Sequence, residues 1–148
     1  MDTSAKTAAP GLLRRLAAIF YDWLLLTGVM IVAALPLVWI LGGAPANWVA
    51  QAAFRIYLLG ITYGFFAWFW THGGQTLGMR VWRLRVVSCS GGPVSWRQAT
   101  WRFLAALVSL ACLGLGFLWV MHDRERRAWH DRLSGTRLEL VPKRGERR

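Results

Sequence analysis

The stretch Leu16-Ala-Ala-Ile-Phe-Tyr-Asp22-Trp-Leu-Leu-Leu-Thr-Gly-Val-Met-Ile-Val-Ala-Ala-Leu-Pro36-Leu-Val-Trp-Ile-Leu41 decides the fold class. It is apolar but for one acid and would extend roughly 39 Å as a helix. That exceeds the roughly 30 Å hydrocarbon core of a bilayer. A secretory signal is shorter, roughly 7–15 apolar residues, and ends at a small-residue cleavage site. The stretch therefore reads as a retained membrane helix, with Pro36 able to kink or end it. The rest of the chain agrees. Of 148 residues, 55% are hydrophobic and only 17% charged, and 18 Lys and Arg stand against 7 Asp and Glu. The charge is not spread evenly. From Leu16 to Trp70 the only formal charges are Asp22 and Arg55, and Phe103–Met121 has none. Disorder is excluded, and a soluble nucleic-acid binder is a poor fit to so segregated a charge.

After the turn-rich residues 42–47, a second helix is expected from about Trp48 to Trp70. Its uncharged part, Ile56–Trp70, spans roughly 22 Å, so Arg55 either snorkels to the far interface or faces inward. Residues 71–102 then hold Arg80, Arg83, Arg85, Arg97 and Arg102 and no acid. By charge bias this segment is cytoplasmic. Val81–Val87 predicts a strand, with Trp82, Leu84 and Val86 on one face and Arg83 and Arg85 on the other. Ser95 and Gln98 stand at capping-box spacing for the next helix. Thr136–Val141 reads as a second strand, whose Glu139 would face Arg83 or Arg85.

The third apolar run, Phe103–Met121, poses a topological conflict. A straight crossing would carry Arg124, Arg126, Arg127, Arg132, Arg137, Lys143, Arg144, Arg147 and Arg148 to the far side, against the charge bias. A hairpin bent at Leu113-Gly-Leu-Gly116 keeps them with the cap, if protein covers its turn. The bent form is preferred. The expected architecture is all-α transmembrane. It has two to three membrane helices, the third re-entrant in the preferred form, and a small basic cytoplasmic β cap. Residues 1–10 and 142–148 form polar and basic tails around a membrane domain at 11–141.

Asp22 is the most informative candidate. A lone carboxylate in hydrocarbon costs several kcal/mol, so it should face inward onto a partner. Arg102 is the first choice, with Tyr63, Thr62 and Arg15 behind it. Arg15 shares the helical face of Asp22, but helical side chains lean toward the N-terminus, which makes direct contact doubtful. His122-Asp123 and His130-Asp131 are at no metal-ligand spacing and should make turn and cap hydrogen bonds. No nucleophile–base pair, phosphate loop or dinucleotide fingerprint is present, so no enzyme, cofactor or metal is expected. Gly60-Ile-Thr-Tyr-Gly64 would permit close helix packing within or between chains. Most of the ten tryptophans flank apolar runs as an aromatic belt. Cys89 and Cys112 should be unpaired thiols.

Three motifs in order carry a family resemblance. Arg15-Leu-Ala-Ala-Ile-Phe-Tyr-Asp22 resembles the first-helix pattern of the RDD family of bacterial membrane proteins, named for one arginine and two aspartates. Gly74-Gln-Thr-Leu-Gly78-Met-Arg-Val-Trp-Arg-Leu-Arg-Val is similar to its central glycine-rich segment. Arg127-Ala-Trp-His-Asp131-Arg-Leu-Ser-Gly-Thr136 is similar to its C-terminal motif. The resemblance implies that the family arginine is Arg15 and its aspartates Asp22 and Asp131, with Arg102 a further recurrent arginine. Met79 departs from a position often basic in the family, and Tyr21 from one often Ile. The resemblance implies a polar network of Arg15, Asp22, Arg102 and Asp131, to which Arg55, His130 and Thr136 are candidate contributors. It implies a bacterial inner-membrane protein; the three basic groups of residues 1–15, against none in 42–54, make the N-terminus cytoplasmic by charge bias. Its activity is read as transport or ion exchange at Asp22. The alternative is a non-catalytic membrane scaffold in which Arg15, Asp22 and Asp131 are structural. Expected partners are the bilayer, anionic lipid headgroups, and a second copy or another membrane protein; no nucleic acid is expected.

Overall fold

The computed structural model describes residues 10–142. Helix α1 spans Leu12–Ile40 and α2 Trp48–Thr71, and both are long and apolar enough to cross a membrane. Pro36 does not end α1, which runs on to Ile40. Its end is set by Gly42, at φ +68, whose conformation lets the Gly43 N–H reach back 2.9 Å to the Val38 carbonyl. Asn47 starts α2 by accepting a hydrogen bond from the Ala50 N–H at 2.8 Å.

In α1 only Arg15, Ala18 and Asp22 are buried, a spacing that puts all three on one face. They face the elements that follow α2. Helix α3 (Leu77–Val81) leads through Arg83, at φ +54, into strand β1 (Leu84–Ser88). The strand is therefore shorter than the alternation of Val81–Val87 predicts. Residues 77–81 are helical instead, because Thr76 caps their first turn and Asp22 accepts the Gly78 N–H. Strand β2 (Thr136–Leu140) pairs antiparallel with β1, and Arg85 lies directly opposite Glu139, as expected. Val141 continues the ladder by donating to the Arg83 carbonyl at 2.8 Å. Leu84, Val86 and Leu138 point inward onto Ala67, Trp70, Ala99 and Phe103, forming a core where the helix ends meet the sheet.

Helix α4 (Trp96–Ala111) begins with the expected capping box, Ser95 and Gln98 each bonding the other's backbone. It breaks after Ala111. Helix α5 (Leu115–Leu118) and a 3-10 turn (Trp119–Met121) leave at 107° to it. The two glycines of the bend do different jobs. Gly114 adopts φ +78 and turns the chain. Gly116 permits contact, since a Cβ there would lie 2.4 Å from Ser109 Oγ and 2.9 Å from the Trp129 ring. Helix α6 (Trp129–Leu133) then packs on α4 and delivers the chain to β2.

Candidate functional site

Asp131, in the first turn of α6, is fully buried and joins the ends of the molecule. Arg15 Nη1 donates to its Oδ2 at 2.9 Å and Arg102 Nη1 to its Oδ1 at 2.5 Å. The Ala128 N–H also donates to Oδ2, at 3.0 Å, so the same carboxylate caps its own helix. Arg102 reaches Thr136 Oγ1 at 2.8 Å, and Thr136 shares a hydrogen bond with Ser134 at 2.7 Å. The guanidinium of Arg15 is further held by the carbonyls of Arg126 at 2.6 Å and Pro10 at 3.3 Å. That of Arg102 lies 5.1 Å over the Trp70 ring, a cation–π contact. Burial by itself would raise the Asp131 pKa. The charge of Arg102, with His130 and Arg15, outweighs burial and holds the carboxyl well below the usual range.

His130 is buried beside this bridge, with Nε2 3.7 Å from Asp131 Oδ1 and its ring 4.8 Å from that of Phe117. Its Nδ1 has no partner among the described residues. Burial first, then the Arg102 charge, lowers its pKa to about 3, so it is neutral at physiological pH. The cap bonds expected of the His-Asp pairs are made by the aspartates. Asp123 accepts from the Arg127 N–H at 2.8 Å and from Arg132 at 2.6 Å.

Asp22 is inward-facing and 3% exposed, but its partner is not Arg102. Its Oδ2 accepts the hydroxyl of Thr76, and its Oδ1 accepts the Gly78 N–H at 2.8 Å. The reason is placement. Helix α3 occupies the face of α1 at Asp22, while Arg102 on α4 faces α6. The other proposed partners are engaged elsewhere: Tyr63 with Thr100 at 2.8 Å and Thr62 with the Leu58 carbonyl at 2.9 Å. Gly78 must be glycine. A Cβ there would lie 2.4 Å from the Ala18 carbonyl and 2.8 Å from Asp22 Oδ1.

Arg15, Arg102, Asp131, Thr136 and His130 thus form one cluster, and Asp22 belongs to a second, with Thr76 and Gly78. Arg55 is exposed on α2 and joins neither. Gly60 and Gly64 have nothing within 4 Å of an added Cβ, so they make no close helix contact within the described chain. Glu139 holds Arg137 at 2.7 Å, although Arg85 is its cross-strand neighbour. Cys89 and Cys112 are free and exposed. Thr76 and Gly78 lie in the glycine-rich segment that carries the resemblance, but neither was expected at the site. The cue was there: a threonine two residues before a glycine, at the start of a helical turn. Among the described residues no three His, Cys, Asp or Glu side chains come together. Asp22 lines neither the apolar hollow of about 320 Å³ between α1 and α2 nor the polar cleft of about 400 Å³ beside β1.

Two apolar helices joined to a small polar cap, with a buried Arg–Asp–Arg bridge between the cap and the first helix, define a class of helical membrane protein. The model of the RDD family matches residues 9–135, and the chain belongs to that family. No curated protein and no solved structure matches it.

Proposed function

We propose that this chain is a non-catalytic scaffold module of the bacterial inner membrane, with α1 and α2 as its crossings. The cap and both termini face the cytoplasm, where the arginines of residues 71–102 and those after Val120 satisfy the charge bias. The hydrogen-bonded pairing of β1 and β2 supports a re-entrant α4–α5 hairpin between them. The exposed Leu110, Leu113 and Met121 of the hairpin then enter one leaflet. The exposed faces of α1 and α2 are open to lipid, a second copy or another membrane protein.

The observation that carries the scaffold reading is the use of the family residues. Arg15 and Asp131 close a buried bridge, and each oxygen of Asp22 accepts one donor from the Thr76–Gly78 turn. All three hold the cap against α1. One observation favours ion exchange as a second reading: the donors to Asp22 are neutral, so its carboxylate meets no cation among them. Proton- and sodium-driven flux in proteoliposomes separates the two. As a scaffold, the chain gives no flux above empty liposomes, and Asp22→Asn lowers the thermal midpoint. A flux that Asp22→Asn abolishes at an unchanged midpoint overturns the scaffold reading.

A further inference from the structure

The outward face of the two-stranded sheet carries Arg85, Arg137 and Glu139, and all three line the cleft of about 400 Å³ beside β1. Trp70 and Thr71, at the end of α2, line it too, as do the glycine pairs Gly73-Gly74 and Gly91-Gly92. Arg85 and Arg137 are diagonal cross-strand neighbours, because Arg85 opposes Glu139 and Val87 opposes Arg137. Long side chains at that spacing reach a common point. Each guanidinium has five N–H donors. One of Arg85 is used on the Gly73 carbonyl at 3.0 Å, and one of Arg137 on Glu139 at 2.7 Å. The two arginines and one glutamate leave the cleft with a positive charge. Trp70 is buried in its wall, and its indole N–H has no partner among the described residues. Both guanidiniums therefore keep uncommitted donors at the cleft, and Gly73, Gly91 and Gly92 leave its rim open.

We infer that this cleft binds a phosphate group, held by Arg85 and Arg137. A tetrahedral oxyanion offers several acceptor oxygens at once, which planar guanidinium forks match in pairs. The cleft sits where the apolar stretch of α2 ends, so the phosphodiester of an anionic lipid and a soluble phosphate ester share access to it. The inference does not depend on whether the chain is a scaffold or an exchanger. Glu139 gives the site a signature, because it opposes the anion that the arginines attract.

The test uses the full chain in phosphatidylcholine nanodiscs, read by its thermal midpoint, since a ligand of the native state raises it. One arm titrates inorganic phosphate against chloride at matched ionic strength. The other replaces part of the phosphatidylcholine with phosphatidylglycerol. The wild type gains in at least one arm: a gain with phosphate alone marks a soluble ligand, and a gain with phosphatidylglycerol alone marks a headgroup. Arg85→Gln/Arg137→Gln loses the gain and Glu139→Gln enlarges it. Arg80→Gln/Arg97→Gln, which removes equal charge outside the cleft, keeps it. No gain over chloride in one arm together with none from phosphatidylglycerol in the other overturns the site. So does an equal gain in the Arg85→Gln/Arg137→Gln variant.

Discussion

Asp131→Asn is the sharpest perturbation of the fold. The carboxylate takes three hydrogen bonds, from Arg15, Arg102 and Ala128. An asparagine keeps the shape but offers one acceptor oxygen. If that oxygen takes the place of Oδ2, it keeps Arg15 and Ala128, and its NH₂ then meets the donating guanidinium of Arg102. Both guanidiniums lose their counter-charge while they remain buried, Arg15 at 7% and Arg102 at 2% exposure. Removing one partner of a buried ion pair costs about 3–5 kcal/mol. At roughly 2–4 °C per kcal/mol for a domain of this size, the thermal midpoint falls by about 6–20 °C. Because the bridge ties α6 and β2 to α1, the β2 amides should also lose hydrogen-exchange protection before the membrane helices do. Adding Arg102→Met removes one orphaned charge and recovers part of the loss, which a pure packing defect would not allow. The wild type has a matching pH dependence. A carboxyl held low in the folded state contributes its full stabilisation above the unfolded value of about 3.9 and loses it as pH falls below that value. A midpoint shift under about 2 °C for Asp131→Asn, with β2 protection unchanged, would show that the bridge does not hold the cap.

Three further outcomes follow from the same geometry. Gly78→Ala drives a Cβ against the Ala18 carbonyl and Asp22, and should cost about 1–3 kcal/mol in chemical or thermal unfolding. His130 is neutral in the fold down to about pH 3 but protonates near 6.5 when unfolded, so stability falls as pH drops through that interval; His130→Phe should flatten a midpoint–pH curve between those values. On a background of Cys89→Ser and Cys112→Ala, the exposed positions Val81→Cys and Leu133→Cys should react with an impermeant maleimide from the same side of the membrane. Labelling from opposite sides would mean a straight third crossing.

Much of the architecture is legible locally. The span and end of α2, the capping box of α4, the bend at Gly114 and the facing of Arg85 and Glu139 each depend on residues close in sequence or on a strand alternation. The strand expectation failed at Val81–Arg83 because a distant group intervened. Asp22, 56 residues before Gly78, takes that glycine's N–H and helps make its turn helical.

The sequence by itself indicated a membrane protein resembling the RDD family, an inward-facing Asp22, and where the apolar runs begin and end. Those properties follow from composition, motif order and the desolvation cost of charge, all of which are additive along a chain. Only the tertiary structure decided the pairing. Arg102, expected on Asp22, instead meets Asp131, which Arg15 reaches across 116 residues, and Asp22 is left to Thr76 and Gly78. Several pairings satisfied the same desolvation requirement. The choice among them rests on which helix face meets which, and that is fixed by the bend at Gly114, the contact at Gly116 and the pairing of β1 with β2.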